Sequence, residues 1–525
     1  VEANINTEFR PLPDLLAASV ERFAAQRAIV FNGRTTDFAA FGLMTDRLAA
    51  GLAARGVQKG DRIGLFCVNS DAFAIAYFGI VKAGATVVPI NLLLNPKEVA
   101  FILNDAGARG LFYIDLLGIS VQAFRSAVPA LEFAVCIGDQ KAAPGDLLFK
   151  DLLADSGTPP TLSIDPSEDV AAILYTSGTT GRPKGAMLTH RNLASNAWSV
   201  KEALLLTPGE DVLIVTLPMF HAFAATACML FPLLYGCTMI PVPRFDPILV
   251  AQLIQTYGVT HFLGVPSMFA SLLHMPDEHT AKLAPLKYAI SGGAAMPVEV
   301  MNRFEARFGK LIYEGDGPTE CSPVTCVNPI GGTRKPASVG LPVPLVAMKI
   351  LDETGREVPH GVIGEICVKG PNVMKGYWKL PDDTREAFFG EWLRTGDLGT
   401  EDDDGYFFIV DRKKDMIIVN GMNVYPRVIE EILYQHEAIR EAAVVGEPDD
   451  LHGEIPVAYV ALKPNAQTTA ADVRKFCRES LGRHEVPRKV FFMPALPKNA
   501  AGKILKRELR KHGELERGID SRTDE

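Results

Sequence analysis

The run Tyr175-Thr-Ser-Gly-Thr-Thr-Gly-Arg-Pro-Lys-Gly185 follows directly on an apolar stretch, Val170–Leu174. Gly178 and Gly181 leave backbone N–H groups open to a ligand. Thr176, Ser177, Thr179 and Thr180 add hydroxyl donors, and Lys184 adds a point charge. Such a set suits phosphate oxygens. It is not a Walker loop, which needs Gly-Lys-Ser/Thr; here Pro183 precedes the lysine and Gly185 follows it. Ser291-Gly-Gly-Ala-Ala295 is a second candidate: at Gly292, Gly293 and Ala294 a flat base or an acyl chain could approach the backbone. In Pro497-Lys-Asn-Ala-Ala-Gly-Lys-Ile-Leu-Lys-Arg507, Lys503 follows Gly502 in a small-residue turn, from which a long cation can reach into a cleft. Lys498 and Lys506 read as solvated charges.

These segments need elements to hold them. Helical spacing over Thr36–Arg55 stops at Gly56. Arg62–Val68 reads as a strand, Ser70 as the cap of a helix reaching Lys82, and Thr86–Pro89 as the next strand. Strand–helix–strand at this spacing predicts a parallel sheet covered by helices. The pattern recurs: Gly209-Glu-Asp-Val-Leu-Ile-Val, a helix over Phe220–Leu234, then Gly236-Cys-Thr-Met-Ile-Pro. Two α/β subdomains of related topology follow. From about Val339 strands and Gly-rich turns take over (Ala347–Leu351, Glu365–Lys369, Tyr406–Val410), predicting a β-rich subdomain. Beyond Asp411-Arg-Lys-Lys-Asp, helices over Val428–Tyr434 and Ala470–Leu481 and strands over Ala442–Val445 and Pro456–Leu462 predict a small α+β domain. The expected division is 1–411 and 412–525, with the end past His512 frayed.

Composition narrows the class. A chain of 525 residues, 48% apolar and 22% charged, is globular and holds more than one domain. A net charge of −9 excludes nucleic-acid binding by bulk electrostatics. Eight scattered cysteines form no CxxC pair, which speaks against zinc and for reduced thiols. The apolar run Ala222–Tyr235 falls short of the ~20 residues of a membrane span and contains Pro232. No signal-peptide pattern opens the chain, so the expected location is cytoplasmic. Peripheral membrane contact and a homodimer stay open.

From about Gly60 to Arg510 the motifs resemble, in order, those of the adenylate-forming superfamily: acyl- and aryl-CoA synthetases, firefly-type luciferases and amino-acid adenylation domains. The resemblance implies ATP, Mg²⁺ and CoA as cofactor and cosubstrates. Residues 175–185 would be the phosphate loop. In Gly315-Asp-Gly-Pro-Thr-Glu320, Thr319 would contact the α-phosphate and Glu320 help to hold magnesium. In Trp392-Leu-Arg-Thr-Gly-Asp397, Asp397 would accept two hydrogen bonds from the ribose diol, with Arg412 as a second ribose contact. Lys503 would bridge the substrate carboxylate and the α-phosphate, so the implied catalytic set is Lys503, Thr319, Glu320 and Lys184. Asp316, next to Gly317, departs from the pattern: it stands where the family has an aromatic ring on adenine. An aspartate cannot stack; it either accepts a hydrogen bond or points to solvent.

The resemblance further implies that the C-terminal domain turns about Lys414, withdrawing Lys503 and bringing Gly421 to a pantetheine tunnel. His221 would gate the acyl pocket, or be an ordinary core histidine. Phe223, Ala224 and their neighbours offer no carboxylate for a substrate ammonium, which disfavours amino acids. Gly264 and Gly293 would form further wall. Pro371–Trp378, Val410–Ile418 and Gly421–Pro426 look most like bacterial long-chain fatty-acid–CoA ligases. The expected reaction joins a medium- or long-chain fatty acid to CoA through acyl-AMP, releasing AMP and pyrophosphate. Alternatives are an aromatic or alicyclic acid–CoA ligase and an acyl-AMP ligase that loads a carrier protein.

Overall fold

Ser70 accepts a 3.1 Å hydrogen bond from the Phe73 N–H and starts the helix Asp71–Lys82. Gly84, at φ +79°, turns the chain into the strand Thr86–Pro89. That strand lies parallel to Arg62–Phe66, with Arg62 opposite Thr86. The unit recurs with the same bonds. Val212–Val215 and Thr238–Pro241 pair in parallel, Val212 opposite Thr238. Gly60 N–H bonds to Gly84 C=O at 2.9 Å, and Gly209 N–H to Gly236 C=O at 2.8 Å. Thr86 N–H meets Asp61 C=O at 2.7 Å, and Thr238 N–H meets Asp211 C=O at 3.1 Å. The similarity between the two sequence stretches is therefore a structural repeat.

The computed structural model describes residues 9–114, 121–138, 143, 145–154, 157–177, 182–449, 451–499 and 502–512. Gly178, Thr179, Thr180 and Gly181, and the chain past His512, lie outside them. One repeat belongs to an eight-stranded sheet and the other to a nine-stranded sheet. Both share one core, in which Phe73–Val81 of the first helix is buried on every side. A five-stranded sheet runs from Ala347–Leu351 to Phe407–Arg412. A separate sheet then begins at Ile417–Val419 and carries the helices Pro426–Gln435 and Ala470–Arg478. Its long strands bury Val444 and Val460 on one face, Val445 and Val457 on the other, as a two-residue period requires. The fold is a large N-terminal α/β part of two related units with a β-rich subdomain, followed by a small α+β part.

The apolar run is one continuous helical rod in three stretches: Ala222–Ala224, a π-helical turn over Ala225–Leu230, and Phe231–Leu234. Among the described residues no helix is long and apolar enough to cross a membrane.

Candidate active site

The apolar strand before the phosphate-type loop runs on to Ser177 and returns as Pro183–Thr189. The antiparallel register sets Thr176 opposite Lys184. The short strand Gly376–Tyr377 pairs with the return strand and delivers Tyr377, and the following helix Pro381–Glu386 delivers Asp383; the sequence reading gave neither a role at the site. Tyr377 donates its hydroxyl to Glu320 Oε1 at 2.9 Å, and Thr176 Oγ1 donates to the same oxygen at 3.4 Å. Lys184 pairs with Asp383 and lies 5.4 Å from the Tyr377 ring centroid. Thr176 and Lys184 thus converge with Glu320, which is remote in sequence.

Glu320 is placed by a forced turn. The strand Ile312–Asp316 ends where Asp316 C=O accepts both the N–H and the hydroxyl of Thr325, each at 3.0 Å. A Cβ on Gly317 would stand 1.7 Å from Pro323 C=O, so this position requires glycine. Thr319–Cys321 forms one 3₁₀ turn, fixed by a 2.7 Å bond from Met374 N–H to Glu320 C=O.

Across the cleft, Asp397 and Arg412 stand opposite each other on neighbouring strands. Arg412 Nε lies 3.2 Å from Asp397 Oδ1 but is not aligned for a hydrogen bond, so each group keeps capacity for a ligand. Lys503 enters from the C-terminal part. Its turn is closed by Asn499, which bonds to the Lys503 C=O and N–H at 2.8 Å each. Ser267 Oγ reaches Gly502 C=O at 3.3 Å and ties that turn to the N-terminal part.

Burial and then the Arg412 charge push the Lys503 amine below its usual range, while Asp397 and Asp316 oppose them. Burial and then the Asp316 charge push the Asp397 carboxyl up, against Arg412 and Lys503. Burial raises Asp316 as well, opposed first by Lys503. Asp316 is half-buried and lines the cavity beside this cluster. His221 is pushed down to about 4 by burial, with Lys503 adding to the effect, and is neutral. Its Nδ1 accepts the Phe223 N–H at 3.4 Å, which leaves the proton on Nε2.

A narrow cavity opens beside this cluster. His221, Phe223, Gly292, Gly293, Asp316 and Gly317 line it, and much of its remaining wall is aliphatic, including Val200, Leu204 and Val327. Gly264 stands behind it, its C=O accepting the Gly292 N–H at 3.1 Å. Ala224 is buried in the main core, and Ala294 is half-buried on the Gly-Gly turn.

Gly421 lies apart from the cluster, in an exposed hairpin turn at φ +77° flanked by exposed Ile418 and Met422. Lys414 is exposed, two residues after Arg412. Lys506 and Lys498 correct the reading of them as solvated. Lys506 is only 20% exposed and pairs with Glu430 at 2.8 Å; Lys498 pairs with Glu441 at 2.7 Å. Both acids come from elements remote in sequence.

Among the described residues no three His, Cys, Asp or Glu side chains cluster as a self-sufficient metal site. A Mg²⁺ ion held through one carboxylate and substrate phosphates needs no such cluster, and the oxygens of Glu320 and Thr176 fit it.

The family model "AMP-binding enzyme" matches residues 16–378, and "AMP-binding enzyme C-terminal domain" matches 428–503. The chain is 38% identical over 534 residues to a "Long-chain-fatty-acid--CoA ligase" of Bacillus subtilis (strain 168), covering 95% of this chain and 94% of that protein. The ATP-bound structure of MatB from Rhodopseudomonas palustris has a TM-score of 0.87 at 33% identity, covering 95% and 98%. The anthranilate CoA ligase AuaEII in complex with anthranoyl-AMP has a TM-score of 0.89 at 30% identity, covering 97% and 98%. With both family models matched and a relative 38% identical over nearly the whole length, the chain belongs to the AMP-binding enzyme family.

Proposed function

We propose that the protein is an ATP-dependent fatty-acid–CoA ligase. The observation that carries this reading is the half-buried Lys503 brought within the charge field of Asp397, Asp316 and Arg412, with an aliphatic-walled cavity that Asp316 also lines. A carboxylate is a poor acyl donor, because its leaving group would be oxide. Attack of one carboxylate oxygen on the ATP α-phosphorus breaks the bond to the bridging oxygen and expels pyrophosphate. The acyl-AMP so formed then has AMP as a leaving group for the CoA thiolate.

The first step brings two anions together, so cations must meet it. Lys503 lies between carboxylate and α-phosphate, Thr319 contacts the α-phosphate, and Lys184 exchanges Asp383 for departing phosphate oxygens. Asp397 and Arg412 hold the ribose. Mg²⁺ at Glu320 supplies charge neutralisation on the phosphates. Neutral His221 closes the cavity without adding charge beside Lys503. Residues 1–411 hold ATP and acid, and residues 412–525 turn about Lys414 for thioester formation. Eight buried cysteines, none in a disulfide, agree with work in the reducing cytoplasm.

The name of the long-chain relative and the aliphatic wall favour a fatty acid; the likeness to an anthranilate CoA ligase keeps an aromatic acid as the second reading. An ATP- and CoA-dependent assay over short, medium, long and aromatic acids decides. Preference for aromatic acids would overturn the fatty-acid assignment, and acyl-AMP made without any CoA turnover would overturn the ligase.

A further inference from the structure

Helix Pro426–Gln435 presents Arg427 and Glu431, four residues apart and so on one face, to the N-terminal part. Arg427 has three partners there. Its N–H bonds to Asp411 Oδ2 at 2.8 Å, its Nη1 to Ile409 C=O at 2.6 Å, and its Nη2 lies 3.9 Å from Glu314 Oε1. Glu314 is only 1% exposed, and its Oε1 also accepts the Met296 N–H at 2.9 Å. Its Oε2 is buried without a hydrogen-bond partner. One turn on, the Glu431 carboxylate lies against the Val298 N–H, which favours its charged form. Val298 opens the helix Val298–Phe308, which has no capping side chain of its own. A carboxylate there satisfies an open N–H and the positive helix end.

Val298 is thus met directly from the C-terminal part, and Met296 only through Glu314, which Arg427 faces; both lie just past Gly292–Ala294, the turn beside the cavity. Every partner of Arg427 and Glu431 named here precedes Lys414, while the two residues themselves follow it. Burial lifts the Glu314 carboxyl to about 7, and Arg427 is the first influence that opposes it.

We propose that Arg427 and Glu431 are positioning residues for acyl-AMP formation: they brace the 292–298 segment in its working shape only while Lys503 occupies the cleft. The inference rests on the domain rotation of the proposed function. Once the C-terminal part turns, both braces leave together. The wall beside the acyl group then relaxes for the thioester step.

The test uses the full chain, a fatty acid accepted in the panel assay, and the two half-reactions measured apart. These are pyrophosphate exchange into ATP, and thioester formation from supplied acyl-AMP and CoA. Arg427→Ala and Glu431→Ala are expected to slow the first about tenfold or more, the scale of a misplaced wall. The second is expected to stay within about twofold of the parent. Glu431→Gln keeps an acceptor for the Val298 N–H and restores the first rate to within about threefold. Equal loss in both half-reactions, or no loss in the first, overturns the braces. Lys503→Ala, run in parallel, separates the failures. If it spares the thioester step while Arg427→Ala does not, the braces alone are wrong. If it damages both steps equally, the rotation is wrong and the braces fall with it.

Discussion

Lys503 reaches a cleft that already holds Asp316, Asp397 and Arg412, so its charge is balanced before any substrate arrives. Replacing it should strike the step that gathers anions. Lys503→Ala is expected to slow acyl-AMP formation by about 10²–10³, the cost of losing one transition-state donor. Thioester formation from supplied acyl-AMP should be spared; pyrophosphate exchange and a thioester assay read the two. The carboxylates give a pH prediction. Asp397 must be ionised to accept ribose hydroxyls, and both burial and Asp316 raise its pKa. ATP use therefore falls as pH drops through that raised value. Asp316→Asn removes the neighbouring negative charge, lowers the Asp397 pKa and moves the acid limb of kcat/KM for ATP to lower pH. An unmoved acid limb would show that Asp316 does not set the ionisation of Asp397.

Elements carry these residues, and the Gly421 hairpin shows what one can be asked. A Cβ added there meets nothing within 4 Å, so a larger side chain costs chiefly the positive φ, about 1–2 kcal/mol. Gly421→Leu is expected to fold with a slightly lower Tm and to make acyl-AMP normally, but to lose thioester formation. Normal CoA turnover would remove Gly421 from the pantetheine path. How far such elements can be read from sequence depends on where their determinants lie. Asp71–Lys82 and Thr86–Pro89 were legible to the residue, because Ser70 and Gly84 punctuate them locally. The strand after Val170 ran three residues past its apolar stretch, because its partner lies beyond the loop. The π-turn at Ala225–Leu230 left no mark, since an all-apolar run shows no period. At the site, glycine, hydroxyl and lysine patterns pointed to Lys184 and Lys503, and the family resemblance pointed to Glu320. Tyr377, Asp383 and Arg427 arrive by strand pairing or helix docking, which no local pattern encodes.

At the scale of the molecule, two parts joined near Lys414 meet at Gly502, where an added Cβ would lie 2.7 Å from Ser267 Oγ. A Ser267→Cys/Gly502→Cys pair should therefore form a disulfide that pins the present orientation. The oxidised enzyme is expected to make one equivalent of acyl-AMP and no thioester, and thiol reductant should restore turnover. Thioester formation by the fully oxidised protein would contradict rotation. The exposed pair Ile418 and Met422 beside Gly421 carries a last consequence. The present orientation rests on ion pairs and hydrogen bonds, whereas one that docks this hairpin would bury apolar surface. Apolar burial weakens on cooling. The enzyme should therefore be cold-sensitive in one half of its cycle: thioester formation should slow more steeply than acyl-AMP formation as temperature falls, and separate temperature profiles of the two steps would show it.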